Sequence, residues 1–179
     1  MKPFAAAAIL AALVQTPQTL SVSSPTIKAG ERIPADHTAD GKNMSPALMW
    51  TNVPAGTKEF AVIVDDPDVP MPQPFVHWVI YKIPATAKGL PENIPIDPAA
   101  PMPTEIAGAV QGTSGFKRPI YRGPAPPAGK PHHYHFTVYA LDTTLDLPPG
   151  ATKPQLLEAM KGHIIGQGEL VAVYERKPQ

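Results

Sequence analysis

Proline punctuates this chain. It supplies 25 of the 179 residues, and each one fixes φ and removes a backbone donor, so long helices are excluded over most of the sequence. Yet 43% of the residues are hydrophobic, too many for a disordered proline-rich tract. Together these facts predict a folded domain of short strands joined by stiff loops. The apolar residues agree, because beyond residue 21 they come in short runs separated by Pro, Gly and Asp, with no internal repeat. A chain of this length has room for one core.

Four strands are predicted. Glu59 to Asp65 encloses the continuously apolar, β-branched run Phe60, Ala61, Val62, Ile63, Val64, as expected of a central strand buried on both faces. Phe75 to Ile83 reads the same way, and further strands are expected from about His133 to Leu141 and from Glu169 to Tyr174. These four should form the main sheet. One helix is signalled near Lys153, with Thr152 as N-cap, Gln155 completing a capping box, and Leu156, Leu157, Met160 and Ile164 as its apolar face. Gly162 either ends it or is tolerated within it. The long proline-rich stretch from Pro84 to Pro131 lies between two segments of candidate binding residues, which favours a functional loop.

The amino end reads as an address. Lys2 precedes an apolar run from Phe4 to Val14, followed by polar Gln15, Thr16 and Gln18, the layout of a secretory signal peptide. The run is shorter than the roughly 20 residues a membrane-spanning helix needs. Residues 1–21 are therefore expected to be a signal peptide and 22–179 the mature domain, exported to the periplasm or secreted, without stable membrane insertion. The small-x-small candidate for cleavage is Thr19, Leu20, Ser21.

Charge narrows the partners. Lys plus Arg and Asp plus Glu each number 15, so no net field exists to attract nucleic acid or an acidic membrane surface. With no cysteine, disulfides, thiolate metal sites and thiol nucleophiles are excluded.

Three polar clusters interrupt the apolar pattern. In Asp65-Asp66-Pro67-Asp68-Val69-Pro70, three carboxylates in four positions would repel one another if all pointed inward, so they must face solvent or find cations. Alternation puts Asp66 on the face of Phe60, Val62 and Val64, and Asp65 on the other. A plain Asp-Pro turn is the alternative. His77 alternates with Phe75, Val79 and Tyr81, and alone reads as a hydrogen-bonded structural residue. In His132-His133-Tyr134-His135, period-2 geometry sends His132 and Tyr134 one way and His133 and His135 the other. At most two His share a face, too few for a local zinc site, and no metal or cofactor is expected. His132 and Tyr134 lie at the strand end on the apolar side, where pockets form.

Ser45-Pro-Ala-Leu-Met-Trp50, Val53-Pro-Ala-Gly-Thr57, Asp65-Asp-Pro-Asp-Val-Pro70, His77-Trp78, Gly123-Pro-Ala-Pro-Pro127, His132-His-Tyr134 and Tyr139-Ala-Leu-Asp142 resemble, in order and spacing, the phosphatidylethanolamine-binding proteins. The similarity is to the bacterial branch described as Raf kinase inhibitor-like, and it covers about residues 22 to 175. It implies a mainly β fold, an antiparallel β-sandwich on a large central sheet with one or two short helices. It also implies a small cavity for phosphate-like anions, formed by Asp66, Pro70, His77, Ala125, Pro126, His132 and Tyr134. Peptide bonds near that cavity are cis in some members, which makes Val69 to Pro70 a candidate. The chain departs from the branch at His133, where Arg is usual, and in the approach loop at Ser114, Lys117, Ile120 and Arg122.

Three function classes follow. The expected one is a module binding a small phosphate-like anion or phospholipid headgroup, with His77 and His132 supplying positive charge. An inhibitor of a serine protease or kinase rests on family analogy alone. A weak hydrolase using Asp66 with His132 or His77 lacks a convincing nucleophile. A homodimer is expected by the same resemblance.

Overall fold

The computed structural model describes residues 16–97 and 99–177. The apolar run from Phe4 to Val14 lies outside them. In chain order the strands are β1 (Gln18–Thr19), β2 (Ser21–Ser23), β3 (Leu48–Thr51), β4 (Glu59–Asp66), β5 (Phe75–Pro84), β6 (Gly89–Leu90), β7 (Val110–Gln111), β8 (His132–Leu141) and β9 (Ile164–Tyr174); one α-helix, α1 (Lys153–Met160), precedes β9. Single 3-10 turns occur at Ala35–His37 and Thr104–Ile106.

The strands make two sheets, a large one in the order β1-β9-β8-β4-β5-β7 and a small one in the order β2-β3-β6. The four long strands sit together as expected, and every pairing in the large sheet is antiparallel except the parallel edge pair of β1 with β9. The fold is thus mainly β, a sandwich whose larger sheet is mixed at one margin.

β4 is apolar throughout because both of its faces are covered. Phe60, Val62 and Val64 pack between the sheets with Trp50, Phe136 and Val138, while Ala61 and Ile63 pack on the opposite face with Leu156 and Met160 of α1. Burying each such side chain stabilises the fold by about 1.5–3 kcal/mol, so the helix is held on the sheet by Leu156 and Met160 rather than by its eight residues' propensity. Its start is as expected, with Gln155 Oε1 accepting from the Thr152 N–H at 2.8 Å and from its hydroxyl at 2.9 Å. Of the two roles open to Gly162 it takes the first, standing just beyond the helix at φ +80°, the left-handed cap position glycine favours. The expected apolar face is shorter than predicted: Leu157 is 37% exposed, and Ile164 opens β9 instead of extending the helix.

β1, β2 and the buried Leu20 between them belong to the sandwich. The ordered domain thus begins before residue 22.

Candidate functional site

The ends of β4, β5 and β8 converge on one cavity. β4 ends at Asp66, β8 begins at His132, and the two strands are hydrogen-bonded neighbours in the sheet. The turn that follows β4 resolves the three carboxylates by giving each its own partner. Asp65 pairs with Lys153 at the start of α1. Asp66, on the other face, lies with its Oδ2 2.7 Å from His132 Nδ1. Asp68 Oδ2 accepts from the backbone N–H of His133 and meets its Nδ1, both at 2.7 Å. The His133 amide, then its imidazole, hold the Asp68 carboxyl below its ordinary value against the opposing effect of burial.

His77 reaches the same cavity by a different route from the one alternation implies. Val64 pairs with Trp78 and Asp65 with Val76, so β5 carries a bulge with His77 as the extra residue. A bulge breaks the period-2 alternation. His77 consequently stands on the face of Phe75 and Asp66, while Val79 and Tyr81 pack on the α1 side.

A cavity of about 290 Å³ is lined by Asp66, His77, Ala125, Pro126, His132 and Tyr134, together with Val69, Phe75, Phe116, Arg122, Pro127 and Arg176. Six of the seven expected residues meet there. Pro70 does not: it is exposed, and Val69 takes its place in the wall. The peptide bond between them is trans.

Phe116, Arg122 and Arg176 escaped sequence reasoning because they arrive from loops and from the segment after β9, where no periodicity points to a face. Arg122 does so through a braced loop. Its N–H donates to the His77 carbonyl at 3.2 Å, and its Cζ lies 4.6 Å from the centre of the Phe116 ring, a cation–π arrangement. The Tyr121 hydroxyl donates to the His37 carbonyl at 2.6 Å, and the Gly123 N–H donates to Asn43 Oδ1 at 2.8 Å.

Electrostatics give the side chains different tasks. His77 Nδ1 lies 2.7 Å from the Arg122 carbonyl oxygen, which can only accept, so Nδ1 carries a proton. Burial pushes the His77 pKa below its ordinary 6.5, and the ring is neutral at pH 7. His77 is therefore not the cation that the sequence suggested. Its ring also packs edge-on against Tyr134, with centroids 5.1 Å apart. Burial first, and the Asp66 charge second, push the Tyr134 phenol well above 10, which keeps its O–H as a donor. Asp66 has both oxygens engaged, because the Asp68 N–H donates to Oδ1 at 2.8 Å. His132 is thus held at Nδ1 and keeps Nε2 for another partner.

A matching family profile, described as phosphatidylethanolamine-binding protein, covers residues 23–175. The chain belongs to the phosphatidylethanolamine-binding protein family. Within it, the chain is 48% identical to a UPF0098 protein of Methanothermobacter thermautotrophicus, over 81% of this chain and 91% of the relative. It is 38% identical to the UPF0098 protein YbcL of Escherichia coli, over 99% of this chain and all of that one. The crystal structure of Escherichia coli YbcL superposes with a TM-score of 0.80, covering 88% of this chain and 99% of that one. A phosphatidylethanolamine-binding protein homologue from Chlamydia trachomatis, 34% identical, superposes at 0.77 and covers 89% and 99%. The family name describes binding rather than catalysis.

Among the described residues, no group of three or more His, Asp or Glu is arranged to hold a metal ion. What the chain offers at this cavity is a phenol donor, an imidazole whose Nε2 is not held by Asp66, and two guanidinium groups in the walls. Those are groups that hydrogen-bond an oxyanion.

Proposed function

We propose that the protein is a binding module for a small oxyanion, a phosphate or a phosphorylated headgroup, held in the Asp66–His132 cavity. The observation that carries this reading is the buried Asp66–His132 pair, whose side chains are 3% and 11% exposed, facing a cavity walled by Arg122 and Arg176. Asp66 fixes the imidazole by its Nδ1. His132 Nε2–H then donates to an anion oxygen, with the Tyr134 hydroxyl as second donor. His77, neutral, shapes the wall.

Titration calorimetry with inorganic phosphate and with phosphoethanolamine tests the reading. Saturable binding at one site is expected, weakened roughly tenfold or more in His132→Asn. That loss is the size of one charge-assisted hydrogen bond, about 1.5–3 kcal/mol. In the same samples chromogenic phosphoesters should not turn over. Absence of binding by either ligand, or steady hydrolysis lost in Asp66→Asn, would overturn the proposal.

A further inference from the structure

A second cleft adjoins the anion cavity and shares a residue with it. It measures about 720 Å³ and is lined by Arg32, Asp40, Ala128, Tyr174, Arg176 and Lys177. Arg176 lines both spaces, and the ridge between them is the loop that places Pro126 and Pro127 in the cavity and Ala128 in the cleft.

The charge of these two spaces departs from that of the chain. The whole sequence is balanced at 15 basic and 15 acidic residues, but the joined linings hold four cations, Arg32, Arg122, Arg176 and Lys177, against the two carboxylates Asp40 and Asp66. Both carboxylates are already engaged. Asp66 faces His132, and Asp40 accepts from the Tyr174 hydroxyl at 3.1 Å and from Arg176 Nε at 2.8 Å, with Arg176 Nη2 completing a two-pronged clamp. That clamp pulls the Asp40 carboxyl below its ordinary range. Among the described residues, no carboxylate lies within 4 Å of the charged ends of Arg32 or Lys177. Arg32 lies with its Cζ 4.6 Å from the centre of the Tyr174 ring, which fixes its orientation without neutralising it.

We propose that the cleft is a second anion subsite, so that the ligand carries two phosphate-like groups on a short skeleton. One group sits in the cavity against His132 and Tyr134. The other lies in the cleft between Arg32 and Lys177, and Arg176 stands between the two. Guanidinium groups suit this task because their forked donors match phosphoryl oxygens, and an Arg stacked on an aromatic ring loses less freedom on binding than an unsupported one. Such a molecule is either a soluble bisphosphate or a lipid whose phosphodiester is followed by a headgroup phosphate. The inference rests on the cavity's being an anion site, and it can fail while that reading stands.

The test compares inorganic phosphate with a series of alkanediol bisphosphates from ethane to hexane, by titration calorimetry on the full chain. A bisphosphate of matching length should bind at least tenfold more tightly than phosphate, since linking two groups makes the second contact intramolecular. In the double variant Arg32→Gln, Lys177→Gln, the ratio of the two affinities should fall towards one. Both side chains are exposed, so the fold tolerates the change, and a melting curve matching the parent verifies it. If phosphate binds but no bisphosphate exceeds it, or if the ratio survives the double variant, the second subsite is wrong while the anion cavity stands. If neither binds, both are wrong. Sedimentation with phosphatidylcholine vesicles containing phosphatidylinositol 4-phosphate separates the sources: retention on vesicles identifies a lipid headgroup, and tight soluble binding without retention identifies a free bisphosphate.

Discussion

His132 Nδ1 and Asp66 Oδ2 lie 2.7 Å apart, buried at the junction of β8 and β4. A carboxylate taken from water at that depth depends on its partner. His132→Ala removes the imidazole from Asp66 Oδ2, and should destabilise the fold by about 3 kcal/mol. That corresponds to a fall of roughly 6–12 °C in Tm for a chain of this size. His132→Asn, whose amide replaces Nδ1, should recover most of the loss. Calorimetric melts of the two variants check this, and equal Tm values for His132→Ala and the parent would contradict it.

Burial of His77 makes stability depend on pH. Its folded pKa is lowered, so as pH falls below about 6.5, the ordinary His value, the unfolded chain takes up a proton before the folded one does. The contribution of His77 is therefore complete above that pH and lost on acidification. Urea midpoints should decline between pH 7.5 and pH 5, and the decline should be smaller in His77→Asn, which keeps a donor for the Arg122 carbonyl. An identical slope in both proteins would show that His77 is not the group responsible.

The wall of the cavity depends on a glycine. A Cβ placed on Gly123 would lie 2.1 Å from the His37 carbonyl oxygen and 2.7 Å from Thr38 Cα, both backbone atoms that cannot step aside. Gly123→Ala should cost about 1–3 kcal/mol, the usual range for overpacking, and should weaken phosphate binding because Arg122 moves with its neighbour. Melting and titration of this one variant test both effects. A wild-type Tm would show that the contact relaxes freely.

How far the sequence carried these conclusions differs from strand to strand. β4 and β8 were legible because alternation held: Asp66 follows Phe60, Val62 and Val64 to the cavity face, and His132 and Tyr134 follow Phe136 and Val138. On β5 the same logic misplaced His77 beside Val79 and Tyr81, since one inserted residue reverses the faces that follow it, until a second register shift between Ile80 and Ile83 restores them, and a bulge leaves no mark in residue types. Pro70 came with its motif but points to solvent. Arg122 and Arg176 were missed as cavity residues because loop positions obey no period, and only the Tyr121–His37 and Gly123–Asn43 hydrogen bonds show how the Arg122 loop is held.

If the chain is exported, its mature end is set by the fold. β1 pairs with β9 through Gln18 and Thr19, and Leu20 is buried at 2% exposure. Cleavage after Ser21 would remove both. N-terminal sequencing of periplasmic or secreted protein should therefore find a start at or before Gln18. An intact Met1 in the soluble cytoplasmic fraction would contradict export.

The central claim is that His132, held by Asp66 at Nδ1, binds an oxyanion through Nε2. Sulfate is the right probe, because it presents the tetrahedral oxygens of a phosphate and offers no ester to hydrolyse. Calorimetry at about pH 7 should show saturable sulfate binding at one site in the parent, weakened roughly tenfold or more in His132→Asn, the size of one charge-assisted hydrogen bond. A parent protein that does not bind sulfate, or an affinity that His132→Asn leaves unchanged, would contradict the account.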